Sequence, residues 1–289
     1  FQKLTVLGKP GSGKTTLLKN IALQALDGKL NKKLIPIFIT LKAFADSEDK
    51  LMDFIVEQFD ICQFPEAEPY VERILSKGRC IILFDGLDEV NKEKNNKIVR
   101  DIQDFSDKYK DNNFILSCRT AAYNDCFEKF ANVELADFTD EQIEAFINNW
   151  FGKDSIKAKS CWEKLKRSEN RPIKELASTP LLLTLLCIAF DESMDFPKNR
   201  AEIYEDAINA LLRKWDVTRN IERDEIYKYL SNKRKESMFS RIAAETFAKE
   251  QFFIPHQTIE GQIAKFIENL PEAKQETLEP DSEVILKAI

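Results

Sequence analysis

The chain has 289 residues, 43% of them apolar and 32% charged, a balance that supports a packed core and excludes wholesale disorder. Lys and Arg number 43 against 49 Asp and Glu, a net charge of −6, so neither nucleic acid nor an anionic membrane is an expected non-specific partner. The length suits about two domains, and the longest apolar stretch, residues 180–190, is too short to span a bilayer.

No signal-peptide pattern opens the chain. It begins at Phe1, almost directly on a strand-like run, and so reads as a piece of something longer. The first strand is expected at residues 4–7, and it leads into Gly8, Gly11 and Gly13, three of only 8 glycines. Glycines gather where backbone must approach something closely or take unusual dihedrals. A helix follows, with Leu17, Leu18, Ile21, Ala22 and Ala25 on one face and Gly28 at its end. A second strand is expected over residues 34–41, and Pro36 places it at a sheet edge. Helices are expected over 50–59 and 66–77, a buried strand over 80–84, a helix over 95–108, a strand over 113–118 and a short one over 133–135. Apolar strands alternating with helices predict an α/β layer with a parallel sheet buried on both faces.

Past Ala136 the strand signal stops. Thr139, Asp140, Glu141 and Gln142 form a capping-box pattern opening a helix that runs to about Trp150. Helices follow over 154–167, 173–177, 180–190, 201–215, 224–235, 240–251 and 257–269, then a polar loop over 270–283 and a helix from 284 to 289. Six cysteines, none in a CxxC pair and several in apolar runs, read as buried reduced thiols of a cytoplasmic protein. His256, the single histidine, has no neighbours with which to build a zinc site. The basic stretch 227–241, with Lys228, Lys233, Arg234, Lys235 and Arg241, reads as a solvated helical face rather than a nucleic-acid patch.

The chemistry concentrates in three places. Gly8-Lys9-Pro10-Gly11-Ser12-Gly13-Lys14-Thr15, followed by Thr16, matches G-x-x-x-x-G-K-[ST] between a strand and a helix. Loop amides and the helix dipole face phosphates there, Lys14 reaches the β- and γ-phosphates, and Thr15 offers a hydroxyl to Mg²⁺. The strand at 80–84 runs into Asp85-Gly86-Leu87-Asp88-Glu89. Ligands bind at strand C-termini in such sheets, so Asp85 is the expected Mg²⁺ partner, through water. Asp88 and Glu89 carry two readings: one of them orients or deprotonates the attacking water, or both are first-turn acids suited to the next helix dipole. Arg119 ends the next strand, where it either contacts the γ-phosphate or makes a surface ion pair. A guanine-reading Asn-Lys-x-Asp motif is missing, since Asn91-Lys92-Glu93-Lys94 lacks the aspartate, and the base is therefore expected to be adenine.

The runs GKPGSGKTT, LFDGLDE, LSCRT, STPLLLTLLC and PKNRAEIYEDAINALLRKW together resemble NACHT domains of the STAND class of P-loop ATPases, bacterial type. The resemblance covers essentially the whole chain, and the D-G-x-D-E form is its specific part. It implies a nucleotide-binding domain, a small helical domain and a winged-helix domain, which fall here at 1–137, 138–197 and 198–289, the last incomplete. It implies a cytoplasmic signalling or defence receptor in which ADP holds a closed monomer and ATP favours an oligomerising form. Hydrolysis would be slow. It implies that Pro180 packs on the adenine, although Thr179 at N-cap and Pro180 at N1 also suffice to start a helix. An effector domain before Phe1, and a phosphate-contacting histidine and sensor repeats after Ile289, are implied as well. The rival readings are a remodelling ATPase with continuous turnover, a transcription regulator with a DNA-binding winged helix, and a nucleotide-locked scaffold without hydrolysis.

Overall fold

The computed structural model describes residues 2–30, 34–152, 154–196, 202–205, 209, 232–249, 251, 254 and 256–269. The chain divides into two compact units, Phe1–Ile203 and Tyr204–Ile289.

In the first unit, five parallel strands lie in the order β2-β3-β4-β1-β5. They are β1 Lys3–Gly8, β2 Ile35–Thr40, β3 Cys80–Asp85, β4 Asn113–Arg119 and β5 Ala131–Glu134. Between them come α1 Lys14–Leu26, α2 Leu41–Ser47, α3 Leu51–Ile61, α4 Ala67–Ser76 and α5 Lys92–Lys108. Every residue of β3 is buried, because side chains alternate between two covered faces. Ile82 and Phe84 join Phe114 and Leu116 under α2–α5. Ile81 and Leu83 join Ile115, Val6 and Leu18 under α1. Each such side chain contributes roughly 1.5–3 kcal/mol on burial, so the two-sided core fixes the strand register. Asn112 secures the end of β3 remote from the loop: it accepts from Cys80 N–H (2.9 Å) and donates to the Leu75 and Tyr109 carbonyls (2.8 and 2.9 Å).

Pro36 does sit on the edge strand. The strand expected over 34–41 stops at Thr40, however, and Leu41 opens α2. Leu41, Phe44 and Ala45 are its buried face, a helical spacing hidden at the end of an apolar run.

Beyond β5 the described residues are helical: α6 Asp140–Phe151, α7 Ser155–Leu165, α8 Arg171–Leu176 and α9 Pro180–Ser193. The capping box at Thr139 and Gln142 is formed in both directions. These helices close over Ile143, Ile147, Trp162, Leu183, Leu186 and Phe190.

In the second unit, α10 Asn232–Ala248 packs on α11 His256–Glu268 through Met238, Ile242, Ile263 and Ile267. A break was expected between Lys235 and Ser240. None occurs, because Lys235, Met238 and Ile242 form one buried stripe at helical spacing. Lys235 is accordingly buried, not part of a solvated face. The expected helix at 201–215 is described only at 202–205 and 209, which are helical. Residues 224–231, with Tyr227 and Lys228, and the loop and helix expected over 270–289 lie outside the described residues. Of the six cysteines, Cys62 is exposed and Cys126 half-buried, while the other four are buried; all are free. No helix of the described residues is long and apolar enough to cross a membrane.

Candidate nucleotide-binding site

The loop from Gly8 to Lys14 joins β1 to α1 at the C-terminal edge of the sheet. Gly11 and Gly13 have φ of 74° and 88°, a left-handed conformation that costs other residues roughly 1–2 kcal/mol. A Cβ on Gly11 would also lie 2.7 Å from Leu181 Cβ, and one on Gly8 2.5 Å from Ser12 Oγ. Gly13 is the N-cap of α1 and supplies no side-chain cap, so the helix presents its first amides unshielded by a capping oxygen. The Ser12 hydroxyl is buried with no partner among the described residues. Lys14 Nζ donates to the Gly8 and Lys9 carbonyls at 2.9 and 3.1 Å. Burial holds its pKa below the ordinary lysine value, against the pull of Asp88 and Asp85. Lys9 and Pro10 are exposed on the rim, and Lys9 pairs with Asp137 at 3.2 Å. Thr16 is exposed on the first turn of α1.

Asp85 closes the space beside the loop. Its Oδ1 accepts from Thr15 Oγ1 at 3.1 Å and from Ser117 Oγ at 2.6 Å. Gly86 follows with φ of 80° and lets the chain turn into the single 3₁₀ turn Leu87–Glu89. A Cβ on Gly86 would lie 3.1 Å from Glu89 Cδ; the missing side chain is what lets that carboxylate fold back over the strand end.

The two remaining acids differ. The Asp88 side chain is 7% exposed and takes Arg119 twice: Nε at 2.8 Å and the backbone N–H at 2.9 Å. The Glu89 carboxylate makes no hydrogen bond or ion pair with the described residues. Its pKa is raised by loss of solvent on its inner side and by Asp88 and Asp85, with Arg119 and Lys42 opposing. Strand register brings these groups together, since Arg119 pairs with Gly8 across β1 and β4. The Arg119–Asp88 ion pair thus lies at the C-terminal end of the sheet beside the phosphate loop, with Arg119 half-buried.

Pro180 opens α9 at N1, and Thr179 as N-cap makes no side-chain cap bond. The start of α9 instead lies on the loop: Leu181 N–H donates to the Gly11 carbonyl at 3.2 Å, and Pro180 Cγ is 4.0 Å from a Cβ built on Gly13. Ser117 and Leu181 were not singled out from sequence. Ser117 had a signal, as the one hydroxyl within the apolar run Phe114–Cys118.

The family profile of the NACHT domain matches residues 2–154, just over half of the chain. The chain belongs to the NACHT domain family. No curated protein matches it. Several solved structures resemble it in fold. The Aeropyrum pernix ORC1 protein in complex with DNA is 13% identical, over 91% of this chain and 76% of that one, with a TM-score of 0.43. Domain III of the Thermotoga maritima replication initiation protein DnaA is 15% identical, over 73% and 83%, with a TM-score of 0.38. Drosophila ORC bound to DNA is 13% identical, over 99% and 72%, with a TM-score of 0.39.

As a NACHT domain the chain is a P-loop NTPase and binds nucleotide. Its residues fit a polyphosphate. The unpartnered Ser12 hydroxyl, the uncapped amides of α1 and the Lys14 ammonium converge on one loop, donors all, as a phosphate requires.

Proposed function

We propose that this NACHT domain is an ATP/ADP switch that hydrolyses ATP slowly, with Mg²⁺, and self-associates in the ATP state. The reading rests on one observation above the rest. Of the three acids beside the loop, Asp88 is spent on Arg119 and Asp85 on Thr15 and Ser117, which leaves Glu89, with a raised pKa, unpaired among the described residues. Glu89 is then the general base for the attacking water. Asp88 holds Arg119 where its guanidinium meets the γ-phosphate. Gly8 to Thr16 cradle the phosphates, and Lys14 moves from the loop carbonyls to them. Thr15 directly and Asp85 through water would hold Mg²⁺, which supplies charge neutralisation for the transferring phosphoryl group. Pro180 packs on the adenine, at the point where α9 meets the loop.

In this reading residues 1–137 bind nucleotide, 138–197 form the helical domain and 198–289 belong to a winged helix. The whole serves a cytoplasmic signalling or defence receptor whose trigger and effector lie outside the chain. The test has two parts. Mg-ATP hydrolysis is measured in a single turnover, and particle mass is measured with ADP and with a non-hydrolysable ATP analogue. Slow turnover with a larger particle on the analogue is expected. A monomer in both states, or fast continuous turnover, would remove the switch.

A further inference from the structure

Ser117 lies in the middle of the sheet, 1% exposed, on the strand that separates the phosphate-loop strand from the acid-bearing strand. Its hydroxyl accepts from Gly86 N–H at 2.9 Å and lies 2.6 Å from Asp85 Oδ1. A hydroxyl has one proton. Asp85 as a carboxylate has none to give, so that proton goes to Asp85. The side chain thus grips two neighbouring residues with opposite polarity. It fixes the Asp85 carboxylate on one side and the peptide entering the Gly86 turn on the other.

This grip decides how the carboxylate is presented. Oδ1 already accepts from Ser117 and from Thr15, which leaves Oδ2 as the oxygen to face a metal-bound water. The Gly86 turn carries Glu89, whose carboxylate rests over the Gly86 Cα. One buried hydroxyl therefore orients both the metal-side acid and the turn that bears the base.

We propose that Ser117 is a positioning residue for the divalent cation, acting through Asp85, and that it sets the metal affinity of the nucleotide site. The inference rests on the reading of Thr15 and Asp85 as the Mg²⁺ pair. Groups that orient a metal ligand in this way typically govern about 10- to 100-fold in metal affinity. A packing role for the same side chain would leave metal affinity alone.

The experiment measures ADP and ATP binding by calorimetry, with Mg²⁺ titrated and with EDTA, for the wild type, Ser117→Ala and Ser117→Cys. The thiol fills the serine's space but is a weak donor and acceptor, so Ser117→Cys separates hydrogen bonding from packing. Binding in EDTA reports that each variant is folded and its phosphate loop intact. Both variants are expected to bind nucleotide in EDTA like the wild type and to need about 10- to 100-fold more Mg²⁺ for the metal-dependent gain. Wild-type Mg²⁺ dependence in Ser117→Ala would overturn the proposal and leave the nucleotide reading standing. So would wild-type behaviour in Ser117→Cys alongside loss in Ser117→Ala, which would assign Ser117 to packing. A wild type whose nucleotide binding ignores Mg²⁺ would overturn the Thr15–Asp85 reading itself.

Discussion

Replacing Glu89 by Gln and, separately, Asp88 by Asn asks the site which acid is the base. Both exchanges keep shape and remove one negative charge. Asp88→Asn loses the charge on the 2.8 Å bond to Arg119 Nε but retains an oxygen for the Arg119 backbone N–H. A charge-assisted bond contributes roughly 1.5–3 kcal/mol, and the partial exposure of Arg119 screens it toward about 1 kcal/mol. Arg119 then loosens, and the preference for ATP over ADP falls about fivefold. Glu89→Gln removes a proton acceptor, for which about 10²–10⁴-fold in rate is typical, with Mg-nucleotide affinity unchanged. The assay is single-turnover hydrolysis with enzyme in excess, read beside equilibrium binding. In the wild type the rate should fall as pH drops through a Glu89 pKa lying above the ordinary 4.5, because only the carboxylate accepts a proton. Stability carries the opposite sign: a raised folded pKa favours the fold at low pH, and that contribution is lost as pH rises through it. Glu89→Gln should therefore not destabilise the domain at neutral pH, and the solvent-exposed position limits any gain to roughly 0.5 kcal/mol. A Glu89→Gln protein that turns over normally, beside an inert Asp88→Asn, would assign the base to Asp88 instead.

Lys14→Ala should abolish nucleotide binding and leave thermal stability near wild type, since among the described residues Lys14 bonds to two loop carbonyls and to nothing in the core; calorimetry and a melting curve check both halves. Gly11→Ala should weaken nucleotide binding about tenfold, from a positive-φ cost of roughly 1–2 kcal/mol and the 2.7 Å approach to Leu181 Cβ. Adding Leu181→Gly should recover part of that loss, whereas Leu181→Ala, which removes the 3.0 Å Cδ2 contact but keeps the 2.7 Å Cβ contact, should recover less. Asn112→Ala should lower stability by about 3 kcal/mol by leaving the buried Cys80 N–H and two carbonyls without their partner. It lies at the far end of β3, so nucleotide affinity of the folded protein should not move; a drop in affinity without a fall in Tm would contradict this.

What was legible in the sequence was local. The phosphate loop declares itself because its eight positions are consecutive and the chain alone fixes their spacing. Asp85 is legible as the first acid after a buried run, and β2 as an edge strand from one proline. Groups meeting across strands left no such mark. Ser117 and Asp85 lie 32 residues apart and Arg119 and Asp88 31, and only the strand order brings them together. Leu181 meets Gly11 because α9 docks on the loop, which no periodicity along α9 reveals. Two of the boundaries that moved, at Leu41 and between Lys235 and Ser240, lie where apolar or charged runs conceal a helical spacing.

The strand order also says which part of the site is rigid. β1 and β3 are not neighbours; β4 runs between them. Asp85 at the end of β3 and Asp88 beyond it are held through β4, by Ser117 and by Arg119, in short bonds to side chains that are 9% exposed or less on the acid side. Among the described residues the hydrogen bond from the phosphate-loop side to these acids comes from Thr15, at 3.1 Å and from an exposed residue. Low dielectric strengthens the β4 bonds and makes their loss costly, while solvent weakens the Thr15 contact. In the proposed reading, nucleotide and metal would enter between the loop and the acids and would meet one yielding wall and one fixed wall. Asp85 and Asp88 would keep their geometry while Thr15 and Lys14 rearrange around the phosphates. Movement on binding is expected to travel along α1 and, through the Leu181–Gly11 bond, into α9, rather than through the sheet.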